Sequence, residues 1–98
     1  MTAFVQLVEF TSSRSDEIMK FQEEWRESNP DRLLDWSVVG QDRDKPNTFI
    51  VMVHFPSYEV AMDNSNDPRT SEYAARMAEL CDGPPSFRNL DVVATEGI

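Results

Sequence analysis

His54 is the only histidine of the chain and the first candidate for chemistry. Its imidazole could act as a general base or bind a metal, because this side chain titrates near neutral pH. It stands in TFIVMVHF (residues 48–55), whose alternation predicts a strand with His54 on the side away from Phe49 and Phe55. On that side we expect it to make hydrogen bonds near a subunit contact rather than to catalyse a reaction.

Two carboxylates, Asp35 and Asp91, are predicted to share the face of His54. A carboxylate–histidine set would suit iron or zinc. The three residues follow no short-spaced ligand motif, and the single cysteine, Cys81, adds no Cys/His cluster. We therefore interpret them as polar groups of an interface and expect no metal site.

Four aromatic residues, Trp25, Trp36, Tyr58 and Tyr73, are predicted on or near the contact between helices and sheet. They could form plain core or hold an aromatic ligand. Trp36 and Tyr73 are the stronger ligand candidates, because each has a polar tip that needs a partner when it is buried. Asn64, in the run DNSND, could bind a ligand carbonyl at the mouth of a pocket, although caps and turns also favour asparagine there.

The elements that would position these residues follow from hydrophobic spacing and from helix start and stop signals. Strands are predicted over residues 4–10, 33–40, 48–55 and 86–95. Helical segments are predicted between Ser13 and Asn29, over residues 57–64, and from Pro68 to Gly83. The order indicates one domain, residues 1–98, of α+β class: a ferredoxin-like βαββαβ fold with a four-stranded antiparallel sheet and helices on one face.

Two helices can cover only one face of such a sheet. In each strand, alternate residues point to opposite sides, and we assign the more uniformly apolar set to the side that faces the helices. These residues are Val5, Leu7, Leu34, Trp36, Val38, Phe49, Val51, Val53, Phe55, Leu90 and Val92. The far face would then carry Phe4, Gln6, Val8, Phe10, Asp35, Ser37, Val39, Ile50, Met52, His54, Phe87, Asn89, Asp91 and Val93. Apolar side chains mixed with hydrogen-bonding groups are typical of an interface, so we predict a homodimer through the sheet face.

Composition excludes several classes of partner. The net charge of −9 and the lack of a basic stripe disfavour nucleic acid and anionic membranes. The sequence contains no secretory signal, no run of about 18 apolar residues, no Gly-rich phosphate loop and no hydrolase or zinc-protease motif. We expect a cytoplasmic protein without a bound flavin or nicotinamide, and no cofactor.

The segment SNDPRTSEYAARMAELCDGPPSFRNLDV (residues 65–92) resembles small antibiotic-biosynthesis-monooxygenase-like proteins of the dimeric α+β barrel superfamily. It has a helix started by proline, a D-G-P-P turn and a final strand. The superfamily includes cofactor-free monooxygenases acting on aromatic polyketides, haem-degrading enzymes, chlorite dismutases, isomerases and many proteins of unknown role. The resemblance implies a pocket between the sheet and the helices of each subunit.

The leading hypothesis is a small-molecule-binding protein resembling the cofactor-free monooxygenases, acting on an aromatic metabolite. Trp36 and Tyr73 would bind this ligand. Tyr58 and Asn64 would lie near the mouth of the pocket, and Trp25 would also contribute to the ligand site. The alternative is a non-catalytic dimeric binding or accessory module of the same fold. Haem binding is a weaker third hypothesis, because haem propionates would meet a strongly acidic chain, although Arg76 or Arg88 could pair with them.

Overall fold

A computed structural model describes residues 2–97 of the chain. Its elements follow the predicted order: β1 Phe4–Thr11, α1 Ser15–Ser28, β2 Trp36–Gln41, β3 Thr48–Phe55, α2 Tyr58–Asn66, α3 Pro68–Leu80 and β4 Ser86–Asp91. Between residues 2 and 97, no helix is long and apolar enough to cross a membrane.

The four strands form one antiparallel sheet in the order β2-β3-β1-β4. The two long strands, β1 and β3, lie at its centre and pair along their whole lengths, from Phe4 opposite Phe55 to Thr11 opposite Thr48. The predicted α+β, ferredoxin-like fold is confirmed.

The helices begin and end largely where local signals place them. Asp67 caps α3, because its side chain accepts a hydrogen bond from the backbone N–H of Arg69 at 2.9 Å, and Pro68 is the first helical residue. Ser57 caps α2 in the same way through the N–H of Val60. Helix α1 has no side-chain cap, and the hydroxyl of Ser13 donates a hydrogen bond of 3.1 Å to the Asp82 carboxylate.

The helices cover the side of the sheet that carries Phe4 and Phe10, called here the helix face. Directly opposed residues of an antiparallel pair point to the same side, and Phe4 and Phe10 oppose Phe55 and Phe49. The helix face comprises Phe4, Gln6, Val8, Phe10, Ser37, Val39, Phe49, Val51, Val53, Phe55, Phe87 and Asn89. The opposite side, the open face, comprises Val5, Leu7, Glu9, Trp36, Val38, Gly40, Ile50, Met52, His54, Ser86, Arg88 and Leu90.

The predicted faces are therefore correct for β3, including His54, and wrong for the other three strands. Val5 and Leu7 lie on the open face, and Trp36, Val38, Leu90 and Val92 lie on the same side. The prediction assumed that the purer apolar set of each strand faces the helices. That assumption fails because the helix face carries polar residues, such as Gln6, that line a cavity.

Two hydrophobic clusters hold the helices on the helix face. One contains Phe10, Phe49, Met77 and Leu80 around Ile18, which is fully buried. The other joins α2 to the sheet through Ala61, Phe4 and Phe55. The space between the two clusters is where the cavity lies.

We expect Ile18→Ala to lower the free energy of unfolding by about 2–5 kcal/mol, because it removes buried methyl groups and leaves a void at the centre of the first cluster. Urea unfolding followed by circular dichroism, at a fixed protein concentration, measures this loss. Lys20→Ala, on the exposed side of the same helix, is the control and should change stability by less than about 0.5 kcal/mol. Equal midpoints for the two variants would contradict the assignment of Ile18 to the core.

Candidate functional site

A cavity of about 200 Å³ lies between the helix face and the helices. Its apolar wall is formed by side chains of all four strands and α3, among them Val8, Val39, Val51, Phe87 and Met77. The volume exceeds that of a cavity of about 150 Å³ known to bind benzene and falls below the roughly 300 Å³ of typical drug-sized sites. A ligand of one or two aromatic rings therefore fits its enclosed part.

Tyr73 of α3 forms part of the cavity lining in an aromatic group. Its ring stacks on Phe21 with centroids 5.3 Å apart and lies against Trp25 at 5.0 Å. The side-chain amide of Gln22 donates a hydrogen bond to the Tyr73 hydroxyl oxygen at 3.1 Å. Within residues 2–97 the hydroxyl has no acceptor for its own proton, so it can donate that proton to a ligand oxygen in the cavity.

Burial raises the pKa of Tyr73, whereas the hydrogen bond from Gln22 and the charges of Arg26 and Arg32 lower it by smaller amounts. The phenol is therefore protonated at neutral pH. In that state Tyr73 is a hydrogen-bond donor and not a general base.

One side of the cavity mouth is a network centred on Arg69. Its guanidinium bonds to Asp67 at 2.8 Å, to Asp31 at 3.0 Å and to Asn29 at 3.1 Å. Hydrogen bonds from Arg69 lower the pKa of both Asp31 and Asp67, and the same bonds raise the pKa of Arg69. Both carboxylates are therefore ionised and already occupied.

The structure brings three of the five predicted ligand-binding residues to this cavity: Trp25, Asn64 and Tyr73. Asn64 lies on α2 and its backbone carbonyl accepts a bond from the N–H of Asp67, which ends that helix. Its side-chain amide bonds to no other group in residues 2–97, so the amide is free for a ligand. Asn64 lines the cavity, and its position at the mouth stays a prediction.

The placement predicted for Trp36 is wrong, and Tyr58, which was expected near the mouth, does not line the cavity. Trp36 lies on the open face, where its ring stacks on His54 with centroids 4.8 Å apart. Tyr58 is half exposed and meets Phe4 edge-on at 5.4 Å, outside the cavity. The error for Trp36 follows from the inverted face of β2, whereas Tyr58, in the first turn of α2, packs on Phe4 at the contact between helix and sheet.

His54 also belongs to the open face, as predicted, and its Nδ1 lies 2.8 Å from the carboxylate of Asp35. Together with Trp36 and Met52 it borders a shallow groove that the chain's C-terminal residues flank. The expected neighbours Gln6 and Asn89 lie on the other face, where their side chains contact each other at 3.4 Å. Among the described residues, no three His, Cys, Asp or Glu side chains converge to hold a metal ion.

Sequence reasoning missed Gln22, Arg26 and Arg32, all of which line the cavity. A signal for Gln22 was present, because it falls four residues after Ile18 and three before Trp25, on the apolar face of α1. A buried polar residue on such a face indicates a partner inside the protein. Arg32 gives no such signal, since it lies in the irregular segment between α1 and β2.

Comparison with solved structures shows which proteins share this fold. SnoaB, a cofactor-independent oxygenase from Streptomyces nogalater, superposes with a TM-score of 0.82 at 12% identity, covering 95% of each chain. A protein of unknown function from Nitrosomonas europaea gives 0.77 at 16% identity, over 100% of this chain and 96% of its own. An antibiotic biosynthesis monooxygenase gives 0.72 at 13% identity, over 94% of this chain and 99% of its own.

Comparisons with models of known families and with curated proteins give no match. The structural likeness therefore establishes the fold, which this chain shares with SnoaB and with the antibiotic biosynthesis monooxygenase. At these identities it does not establish the reaction.

We expect Gln22→Leu to raise the pKa of Tyr73 further, because the phenolate loses its hydrogen-bond donor. In a Tyr58→Phe background Tyr73 is the only tyrosine, so its ionisation can be followed by ultraviolet absorbance. The pKa of Tyr73 should lie above the ordinary value of about 10 and should rise again in the Gln22 variant. The stability that Tyr73 contributes is complete below about pH 10 and is lost as pH rises through its folded pKa.

Gln41→Leu is the matched control, because Gln41 is an exposed glutamine at the end of β2 and lies away from the cavity. It should leave the titration of Tyr73 unchanged. A fall in the pKa of Tyr73 in the Gln22 variant, or no change, would contradict the hydrogen bond.

Proposed function

We propose that the protein is a cofactor-free monooxygenase acting on a hydroxylated aromatic metabolite of one or two rings. The observation that carries this proposal is the apolar cavity of about 200 Å³ with the Tyr73 hydroxyl free to donate into it. The fold shared with SnoaB, a cofactor-independent oxygenase, supports the same class of reaction.

In such a reaction the substrate supplies all the electrons. A phenol with a free para position and one O2 yield a para-quinone and one water: one oxygen atom enters the ring, and the other leaves with the two displaced hydrogens. Trp25 would lie against the ring, Tyr73 would donate a hydrogen bond to the phenolic oxygen, and the amide of Asn64 would bind a second oxygen. No step in this scheme requires a cofactor.

We expect 1-naphthol to cause oxygen uptake with one O2 consumed per 1,4-naphthoquinone formed, measured with an oxygen electrode and by chromatography. Tyr73→Phe should lower kcat/KM about tenfold, the effect of one lost hydrogen bond to the substrate. Tyr58→Phe is the matched control and should leave kcat/KM unchanged, because Tyr58 lies outside the cavity. Absence of uptake across a panel of hydroxylated one- and two-ring aromatics would overturn the proposal.

A non-catalytic binding module is the second candidate, and one observation favours it: no general base is positioned at the cavity. Asp31 and Asp67 are occupied by Arg69, and His54 lies on the other face of the sheet. Binding of 1-naphthol in the cavity without oxygen uptake would favour this candidate.

We propose further that two copies pack through their open faces. The open face carries the apolar residues Leu7, Trp36, Val38, Ile50, Met52 and Leu90, together with Val5, which is buried. Val38 is 57% exposed, Leu90 41% and Met52 37%, and a patch of this kind is typical of a protein–protein interface. Ile50 and Met52 lie on this face as predicted, whereas Phe4, Phe10 and Phe87, which were predicted beside them, lie on the helix face.

We expect Met52→Glu to weaken dimerisation at least about 100-fold, because it would bury a carboxylate without a partner. Sedimentation velocity across a concentration series measures the dimer dissociation constant. Ala75→Glu, on the exposed side of α3, adds the same charge away from the open face and should leave the dimer intact. A wild-type protein that sediments as a monomer at micromolar concentration would overturn this proposal.

We expect the protein to act in the cytoplasm, because its single cysteine can form no internal disulfide. Burial, and then the neighbouring charge of Asp82, raise the pKa of the Cys81 thiol. The thiol is therefore protonated at neutral pH, which fits an unreactive, structural residue.

A further inference from the structure

Two arginines at the cavity have no anionic partner. Arg26 lies in the last turn of α1 and Arg32 in the segment that follows, and both line the cavity. Within residues 2–97, neither guanidinium makes an ion pair or a hydrogen bond, whereas Arg14, Arg69 and Arg76 are each paired with carboxylates.

The position of Arg32 is costly without an anion. It is partly buried, and it lies close enough to Arg26 for the two cations to repel each other. Desolvation, and then the charge of Arg26, lower the pKa of Arg32. The location of Arg26 near a helix C-terminus is favourable by itself, but Arg32 is not in a helix and has no comparable compensation.

The local charge of the cavity is opposite to that of the protein. Its charged lining residues are Arg26, Arg32, Arg69, Asp31 and Asp67, with a net charge of +1, in a chain of net charge −9. Since Arg69 already holds both aspartates, the positive potential at the mouth comes from Arg26 and Arg32. An acidic protein with a locally cationic cavity concentrates small anions there and repels them elsewhere.

We infer that the cavity selects an aromatic carboxylate, with the carboxylate held by Arg26 and Arg32 at the mouth and the ring enclosed against Trp25 and Tyr73. Guanidinium groups bind carboxylates through two parallel hydrogen bonds, a geometry that suits the planar carboxylate of an aromatic acid. An aromatic carboxylate would be the substrate class of the proposed monooxygenase. The inference depends on the proposed function only because it places the ligand in the same cavity.

Binding of naphthalene-2-carboxylate, compared with the neutral 2-naphthalenemethanol, tests the inference by calorimetry or by quenching of tryptophan fluorescence. We expect the acid to bind about tenfold or more tightly than the alcohol. Arg32→Gln and Arg26→Gln should each lower affinity for the acid about tenfold and leave affinity for the alcohol unchanged. Raising the salt concentration should weaken binding of the acid alone.

Arg43→Gln is the matched control, because Arg43 is an exposed, unpaired arginine of the β2–β3 loop and its loss changes the net charge equally. It should leave both affinities unchanged. Equal affinity of the wild type for acid and alcohol would overturn the inference, and so would an equal loss in the Arg43 and Arg32 variants.

Neither probe carries a phenolic hydroxyl, so both report binding without oxidation. Selective binding of the acid without oxygen uptake on any hydroxylated aromatic would support the anion site and refute the monooxygenase. Oxygen uptake with 1-naphthol, together with equal affinity for the acid and the alcohol, would support the monooxygenase and refute the anion site.

Discussion

The pairing of β1 with β3 is the interaction on which the rest of the structure depends. Phe4 opposite Phe55 and Phe10 opposite Phe49 place two pairs of phenylalanines on one side of the sheet, where each pair anchors one hydrophobic cluster beneath the helices. A shift of this register by one residue would move the whole apolar set of β1 to the other face. The contents of the cavity and of the open face both follow from it.

This register gives each side of the sheet a mixture of apolar and polar residues. On the helix face Gln6 lines the cavity among apolar neighbours, and on the uncovered side Leu7, Ile50 and Met52 stand beside Glu9 and Arg88. A chain of 98 residues has too little material to wall a cavity and also cover a second sheet face. Because the helices enclose the cavity on one side, the other side stays uncovered, and this is the reason for proposing a second copy of the chain as its partner.

The order of the elements could be predicted from the sequence because the signals for it are local. Asp67 and Pro68 start α3, and Asn29 before a proline ends α1, as their residue types indicate. The faces of the strands could not be predicted with the same success, because they depend on pairing between separate strands, such as Val5 with His54 and Trp36 with His54. The misplacement of Trp36 follows directly from this limit, whereas Tyr73 was placed correctly because helical periodicity locates it without any pairing.

The electrostatics of the site show why net charge is a poor guide to what a protein binds. At −9 the chain as a whole repels anions, but the field inside a cavity depends on the few charges that line it. Arg69 has a decisive role here without contacting Arg32: by holding Asp31 and Asp67 it prevents either carboxylate from neutralising the arginines nearby. By occupying both acids, the Arg69 network leaves Arg26 and Arg32 without a carboxylate partner within residues 2–97.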